Sequence, residues 1–192
     1  MGMKFGITAW GRAWLRTIES TGASSPNSLL PQARMLVSKN AVILSVVAAG
    51  RIRAEVTVRG KTVPVEITIP LWSGSESAAV RALVARGGTS TRSVAAGDIP
   101  DSVAANLTAR SISITGDPDI HTTTCPCTGR KRPCLHHLAA IYQLVAQIDE
   151  EPALAVTLRA TPTSTALQSG PGEGGADTIQ LVRIDAANFY GD

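Results

Sequence analysis

The chain has 192 residues, of which 44% are apolar and only 4% aromatic, so it can form one domain or two small ones with a core of aliphatic side chains. Residues 160–192 hold one arginine and four acidic residues, so the rest of the chain carries a net charge of +6, which is a modest basic excess rather than a strongly basic surface. The longest apolar run, residues 41–50, is about half as long as a membrane-spanning helix and no basic-then-apolar leader opens the chain, so we expect a cytoplasmic protein without a membrane partner.

The first predicted element is a strand-to-helix entry over residues 5–20. Trp10, Trp14 and Ile18 recur at the spacing of one helix face. We expect the two tryptophans to anchor the core, with stacking on a base or ligand as the alternative. Residues 21–32 are rich in Ser, Pro and Asn and are predicted to form a loop.

Three strand-like stretches follow, at residues 41–48, 51–59 and 62–70, with turn signals between them. Apolar and polar residues alternate along the second and third stretches, which is typical of a half-buried antiparallel meander. Pro64 lies inside the third stretch and indicates an edge strand or a bulge there.

The polar face of the second stretch carries three arginines, Arg51, Arg53 and Arg59. These arginines either form an ordinary solvated face or contact phosphate groups. They are candidate contact residues for a nucleic acid or a protein partner.

Helices dominate the second half of the chain. Residues 76–109 predict short helices, residues 111–115 a short alternating strand, and residues 135–149 a helix with one apolar stripe. Pro152 ends that helix and opens another short one through Arg159.

The C-terminal residues have a different composition. Residues 160–176 are rich in Thr, Ser, Pro and Gly and are predicted to be a flexible linker, and residues 178–184 are a candidate strand. We therefore predict three segments: an α+β domain at 1–116, a metal-binding module with its helix at 117–159, and a tail at 160–192.

All three cysteines lie within ten residues, in the run CPCTGRKRPCLHH. Cys125 and Cys127 are two positions apart in an extended segment, so their side chains point the same way. Cys134 stands at the start of the predicted helix and must lie outside the helical conformation if His136 is the fourth ligand. His137 is the rival, and spacing alone leaves the two histidines open. Three thiolates and one imidazole fit a tetrahedral structural zinc site.

Other uses of the cysteines fit less well. A disulfide would leave an odd thiol, and two cysteines one residue apart pair poorly. A catalytic cysteine lacks a His and Asp constellation, and a catalytic zinc needs an open position that four ligands would fill. Arg130, Lys131 and Arg132 lie between the two ligand pairs, where they can offset the negative charge of the site or face a phosphate.

The pattern CPC…PCLHHLAAIYQL resembles the SWIM zinc finger, in which Cys-x-Cys is followed by a loop and then by Cys-x-His and a helix. The four ligand positions of that family fall on Cys125, Cys127, Cys134 and His136, so the resemblance favours His136 over His137.

The likeness extends from about residue 5 to residue 159. The segment Trp10-Gly11-Arg12-Ala13-Trp14, the strand pair over 50–58 and the stretch from Glu151-Pro152 to Leu158-Arg159 are each similar to segments of bacterial SWIM proteins.

The resemblance implies an α+β fold in which a small antiparallel meander with helices precedes a SWIM-type zinc knuckle and its helix. It also implies one structural zinc ion and a non-catalytic role, exercised by binding, in DNA or RNA machinery. The alternative is a protein-to-protein adaptor or accessory subunit that docks on a larger machine such as a SNF2-type helicase. The candidate contact residues are the six cations Arg51, Arg53, Arg59, Arg130, Lys131 and Arg132.

Overall fold

The computed structural model describes residues 3–19, 27–87 and 97–161. Its helices are α1 Ala9–Leu15, α2 Leu30–Ser38, α3 Gly74–Gly87, α4 Asp101–Ala109, α5 Leu135–Glu150 and α6 Ala153–Arg159. Its strands are β1 Val42–Ala48, β2 Arg51–Val58, β3 Lys61–Thr68 and β4 Thr122–Thr124, and a single 3-10 turn spans Pro118–Ile120. The predicted α+β class is therefore confirmed.

The four strands form one antiparallel sheet in the order β1-β2-β3-β4. Period-two alternation places Ile52, Ala54 and Val56 of the second strand on the buried face, each at most 2% exposed. The predicted meander is thus confirmed. β4 pairs only with Glu66–Thr68, so Pro64 occupies a part of β3 that β4 does not cover, where a missing N–H is tolerated.

Helix α5 covers the inner face of the sheet and also packs against α1 and α2. Nine of its sixteen residues are buried. Small residues at Ala139 and Ala140 widen the apolar stripe, so the helix is apolar around most of its circumference and occupies the centre of the fold. The helix predicted at 135–149 is found almost unchanged.

The N-terminal segment differs from the predicted strand-to-helix entry. Residues 3–7 form no strand; instead the N–H groups of Gly6 and Thr8 donate to the carboxylate of Asp149, at 2.7 and 2.9 Å. Helix α1 follows, and Trp10 and Trp14 are fully buried. Their burial confirms the core-anchoring role and leaves no ring face free for a base.

Two further expectations need correction. Helix α2 begins at Leu30, inside the predicted loop, because Pro31 fits the first turn of a helix; residues 20–26 of that loop lie outside the described residues. The predicted strand at 111–115 does not form. The carbonyl of Ser113 instead accepts from the indole N–H of Trp72 at 2.8 Å, so side chains take the place of a partner strand.

The helices predicted within 76–109 and the short helix ending at Arg159 are present as α3, α4 and α6. The predicted linker and the candidate strand at 178–184 lie outside the described residues, apart from positions 160 and 161. The division of the chain at residue 116 stays a prediction. Within the described ranges, no helix is long and apolar enough to cross a membrane.

Candidate metal centre

Two elements deliver the cysteines and the histidine to one place. Strand β4 ends at Thr124, so Cys125 and Cys127 lie directly after it. Cys134 is the N-cap of α5, with extended backbone angles of φ −78° and ψ 166°, and His136 lies in the first turn. Cys134 therefore lies outside the helical conformation, as the spacing requires if His136 is the fourth ligand.

The ligand atoms of Cys125, Cys127, Cys134 and His136 all lie within 4.8 Å of one another, close enough to hold one metal ion. The Cys125 sulfur is 3.8 Å from Nδ1 of His136. Usual zinc bond lengths place ligand atoms at the corners of a tetrahedron with edges of about 3.6 to 3.8 Å, so the separation of Cys125 and His136 matches such an edge. Cys134 is buried, and the other three are partly exposed.

His137 faces away from this cluster. Its Nε2 lies 3.3 Å from the hydroxyl of Thr123, on the sheet side of the helix. Burial, together with the nearby His121, lowers the pKa of His137 to about 4, so the ring is neutral at physiological pH. The structure thus places His136, and not His137, with the three cysteines, a choice that spacing alone did not decide.

The pKa values of Cys125 and Cys127 are shifted in opposite directions. Burial raises the pKa of Cys125 to about 12. Burial also disfavours a thiolate at Cys127, but hydrogen bonds from His136, from the Gly129 N–H and from the other two cysteines outweigh it and lower its pKa to about 6. Of these two thiols, Cys127 is the one that more readily forms a thiolate, and a bound cation would favour the thiolate of Cys125 as well.

The loop between the two ligand pairs is tied to the segment before α2. Nζ of Lys131 donates to the Ser28 hydroxyl at 2.6 Å, and the side-chain amide of Asn27 donates to the Pro133 carbonyl at 3.2 Å. The Arg132 guanidinium donates to the Gly129 carbonyl at 2.7 Å and so closes the loop on itself. All three loop cations are exposed beside the cluster.

The three candidate arginines of β2 lie on a different surface. Arg51 and Arg53 are exposed on the outer face of the sheet, whereas Arg59 lies in the turn after the strand with φ +50°. Strand geometry separates Arg51 from Arg59 by about 25 Å. Arg53 is paired with Glu66 across the strands, so carboxylates interrupt the basic face.

A cleft of about 360 Å³ opens beside the cluster. Its lining includes the metal-ligand candidates Cys127, Cys134 and His136, with Leu29 on one side and the basic loop on the other. Cys125 is absent from that lining. One side of the candidate centre is therefore reachable by small solutes.

Sequence reasoning did not identify the residues that hold the centre in place. Thr123 orients His137, and Asn27 and Ser28 hold the loop, from positions about a hundred residues away in the case of the last two. Such single polar residues carry no local pattern, so no signal in the sequence marks them.

Comparisons of the chain with models of protein families, with curated proteins and with solved structures gave no match. The likeness to SWIM fingers therefore stays a prediction drawn from the sequence.

Proposed function

We propose that this chain is a SWIM-type zinc protein whose ion is structural and which acts by binding rather than by catalysis. The observation that carries the proposal is the convergence of Cys125, Cys127, Cys134 and His136 within 4.8 Å of one another. Four ligands complete a tetrahedron, so no position remains for a water or substrate molecule.

The chemistry of the donor set favours zinc. Thiolate and imidazole ligands suit zinc, whereas Mg²⁺ and Ca²⁺ prefer oxygen ligands. With three thiolates and a neutral histidine, the loaded centre carries one net negative charge. The cations of the loop at 130–132 lie beside it and offset that charge.

We further propose that the protein works in DNA or RNA machinery, with phosphate groups contacting the basic loop. The exposed Arg130, Lys131 and Arg132 support this, because the folded cluster presents them together. Arg51, Arg53 and Arg59 are secondary candidates, since Glu55 and Glu66 interrupt their face and Arg59 is remote from Arg51.

The test is fluorescence anisotropy of the zinc-loaded chain with short duplex DNA, single-stranded DNA and RNA across a salt series. If Arg130 contacts a phosphate, Arg130→Gln should lower the slope of log affinity against log salt by about 0.7 to 0.9. Arg81→Gln is the matched control, because Arg81 is exposed on α3, an element that does not contribute to the centre. Binding that is absent at low salt, or whose slope is the same in both variants, would contradict the phosphate-contact proposal.

The second candidate function is that of an adaptor that docks on a larger machine such as a SNF2-type helicase. Exposed apolar residues on strand β1 support it. Ile43 and Val47 on strand β1 are 70% and 58% exposed. The strand lies at one end of the sheet order and contains neither a charged residue nor a proline, so its edge before the bulge between Val46 and Ala48 lacks two of the devices that normally prevent strand addition. A partner strand could pair with it.

The adaptor function is tested by co-precipitation of a SNF2-type helicase with the intact chain. Ile43→Lys places a charge on the exposed edge and should abolish capture if this strand is the docking site. Thr68→Lys is the control, since Thr68 is exposed on the outer face of β3, away from the β1 edge. Equal capture by both variants would remove β1 as the docking site.

A further inference from the structure

A second cleft, of about 400 Å³, is lined by His137 rather than by His136. Arg130 and Lys131 of the basic loop line the cleft beside the metal cluster, whereas Arg132 lines the second one. Pockets of about 300 to 1,000 Å³ are typical of small-ligand sites, so the second cleft is large enough for such a ligand. The basic loop thus adjoins a cavity that the metal centre does not use.

The lining of the second cleft suits a neutral planar ring. Its apolar members include Ile18, Pro118 and Pro133, which offer carbon surface to the faces of a ring. One cation, Arg132, and one carboxylate, Asp119, line the cleft as well, so their charges offset each other. A phosphate group therefore gains little inside the cleft, and we expect a neutral ring there rather than an anion.

His121 supplies a hydrogen-bond acceptor to this cleft. Its Nε2 lies 2.9 Å from the Thr115 carbonyl oxygen, and a carbonyl can only accept, so Nε2 carries the proton. Burial lowers the pKa of His121, so the ring is neutral at physiological pH and Nδ1 is an acceptor. Nδ1 has no hydrogen-bond partner among the described residues, and it is not one of their buried unpaired atoms. It is therefore open to a ligand in the cleft that His121 lines.

Two further side chains add acceptors to the lining. The Thr17 hydroxyl donates to the Trp14 carbonyl at 2.7 Å, which leaves its lone pairs free to accept. The Asp119 carboxylate is exposed and only accepts. Arg132 is a donor, because its Nη1 bonds to carbonyls of its own loop while Nε and Nη2 have no partner in the described part of the chain. A ring whose edge carries N–H groups can therefore donate to acceptors on three residues of the cleft.

We propose that the second cleft binds one unstacked base of a single-stranded nucleic acid, with preference for a base that carries an exocyclic amino group. This inference rests on the proposed nucleic-acid function, because the phosphates of the same strand contact the basic loop. Cytosine and adenine offer such an amino donor, whereas thymine and uracil carry a carbonyl oxygen at that place. Bases of a single strand can be splayed out into such a cleft, whereas those of a duplex are stacked and paired.

The experiment measures the fluorescence anisotropy of labelled oligodeoxycytidine and oligodeoxyuridine strands of equal length with the zinc-loaded full chain at one salt concentration. The two strands carry the same phosphate charge, so the ratio of their affinities isolates the contribution of the base. We expect the cytidine strand to bind at least about fivefold more tightly than the uridine strand, the lower end of what a well-matched base contact contributes.

Two substitutions test whether the cleft is the source of the preference. His121→Gln keeps a donor for the Thr115 carbonyl but removes the imidazole acceptor, and Asp119→Ala removes an exposed carboxylate from the lining. Each should lower the affinity ratio by at least about twofold. Glu66→Ala is the matched control for Asp119→Ala and should leave the ratio unchanged, because Glu66 is exposed on β3 and does not line the cleft.

The outcomes separate this inference from the proposed function. A ratio near one in the native chain, or a ratio that Glu66→Ala lowers as much as Asp119→Ala does, would overturn the inference. In either case a salt slope that Arg130→Gln reduces would still support the proposed function. Binding of neither strand at low salt would contradict the proposed function, and the inference with it. Because Asp119 is exposed, Asp119→Ala decides between these outcomes if His121→Gln fails to fold.

Discussion

Adjacent histidines at the start of α5 have opposite surroundings. His136 lies 3.8 Å from the Cys125 sulfur, while His137 contacts the hydroxyl of Thr123 at 3.3 Å. Successive helical residues are rotated by about 100°, so one ring faces the cluster and the next faces the sheet. The two positions therefore offer a matched pair of substitutions at neighbouring sites.

His136→Ala should reduce zinc affinity by more than about 100-fold, beyond the range that outer-shell partners of a metal contribute. His137→Gln should leave the zinc content unchanged, because Gln can still bond to Thr123. The measurement is zinc per chain by elemental analysis after dialysis against a weak chelator. The assignment of the fourth ligand fails if His137→Gln loses the metal and His136→Ala keeps it.

Gly11 of α1 lies directly against Asp149 of α5. A Cβ at this position would lie 2.0 Å from Oδ1 of Asp149, the carboxylate that already accepts from Gly6 and Thr8. We expect Gly11→Ala to destabilise the protein by about 1 to 3 kcal/mol, as overpacking does in other cores.

The measurement is the free energy of unfolding in urea. Gly74→Ala serves as the control, because no atom lies within 4 Å of a Cβ built at Gly74. The control should change stability by less than about 0.5 kcal/mol. Equal effects of the two substitutions would show that the contact with Asp149 is easily relieved.

For helices and strands that bury one face, the spacing of apolar residues correctly predicted the type of element. Alternation identified β2 and β3, and the helical stripe identified α5. The period failed at 111–115, where Ile112 and Ile114 are buried as a strand would bury them, but none of the strands in the described residues pairs with this segment. Tertiary contacts to Trp72 decide that segment, and they are not visible locally.

Helix α2 and strand β4 were missed for related reasons. Helix α2 has nine residues and follows a Ser- and Pro-rich stretch, so its apolar face at Ala33, Leu36 and Val37 is easily overlooked. β4 is three threonines long and is a strand only because β3 offers it an edge. Short elements depend on their neighbours more than on their own composition.

Metal removal should affect the segment around the centre and not the whole of α5. The ligands lie before and within the first turn of the helix, whereas its nine buried residues begin at Leu138 and pack against α1, α2 and the sheet. With a strong chelator, amide exchange should accelerate over residues 122–137 and remain slow over 141–148. Exchange that rises uniformly along α5 would show that zinc supports the entire core.

At the scale of the whole molecule, Arg159 joins segments that are far apart in sequence. The side chain is 4% exposed, and its guanidinium donates to the carbonyls of Pro70 and Ser113 and stacks over the Trp72 ring. Burial lowers its pKa, and Glu76 partly offsets that effect. These hydrogen bonds connect the last turn of α6 to the loops that contain Pro70 and Ser113.

Arg159→Met should destabilise the protein by about 1 kcal/mol or more, because the Pro70 carbonyl loses its guanidinium donor while the apolar volume is kept; the Ser113 carbonyl still accepts from the indole N–H of Trp72. Thermal unfolding measures the effect. Arg110→Met is the control, since Arg110 is exposed just after α4. A melting temperature that falls equally in both variants would show that the bonds of Arg159 contribute nothing of their own.

The candidate centre was predictable in its ligands but not in its setting. Cysteine spacing identified Cys125, Cys127 and Cys134, because thiol ligands must lie close together in a short loop. The anchors Asn27 and Ser28 reach the loop only through tertiary folding, and the cleft beside Cys127 exists only once Leu29 is in place. The ligand residues can therefore be identified from the sequence, whereas their anchors and the cleft beside them depend on tertiary packing.

The central position of α5 has a consequence for synthesis on the ribosome. Chains emerge from the N-terminus, so the first three strands leave the exit tunnel before the helix that covers them. Until then the inner face of the sheet is open to water and to chaperones. Cys134 and His136 emerge immediately ahead of the rest of that helix, so all four candidate metal ligands are outside the tunnel before the apolar face of the sheet is covered.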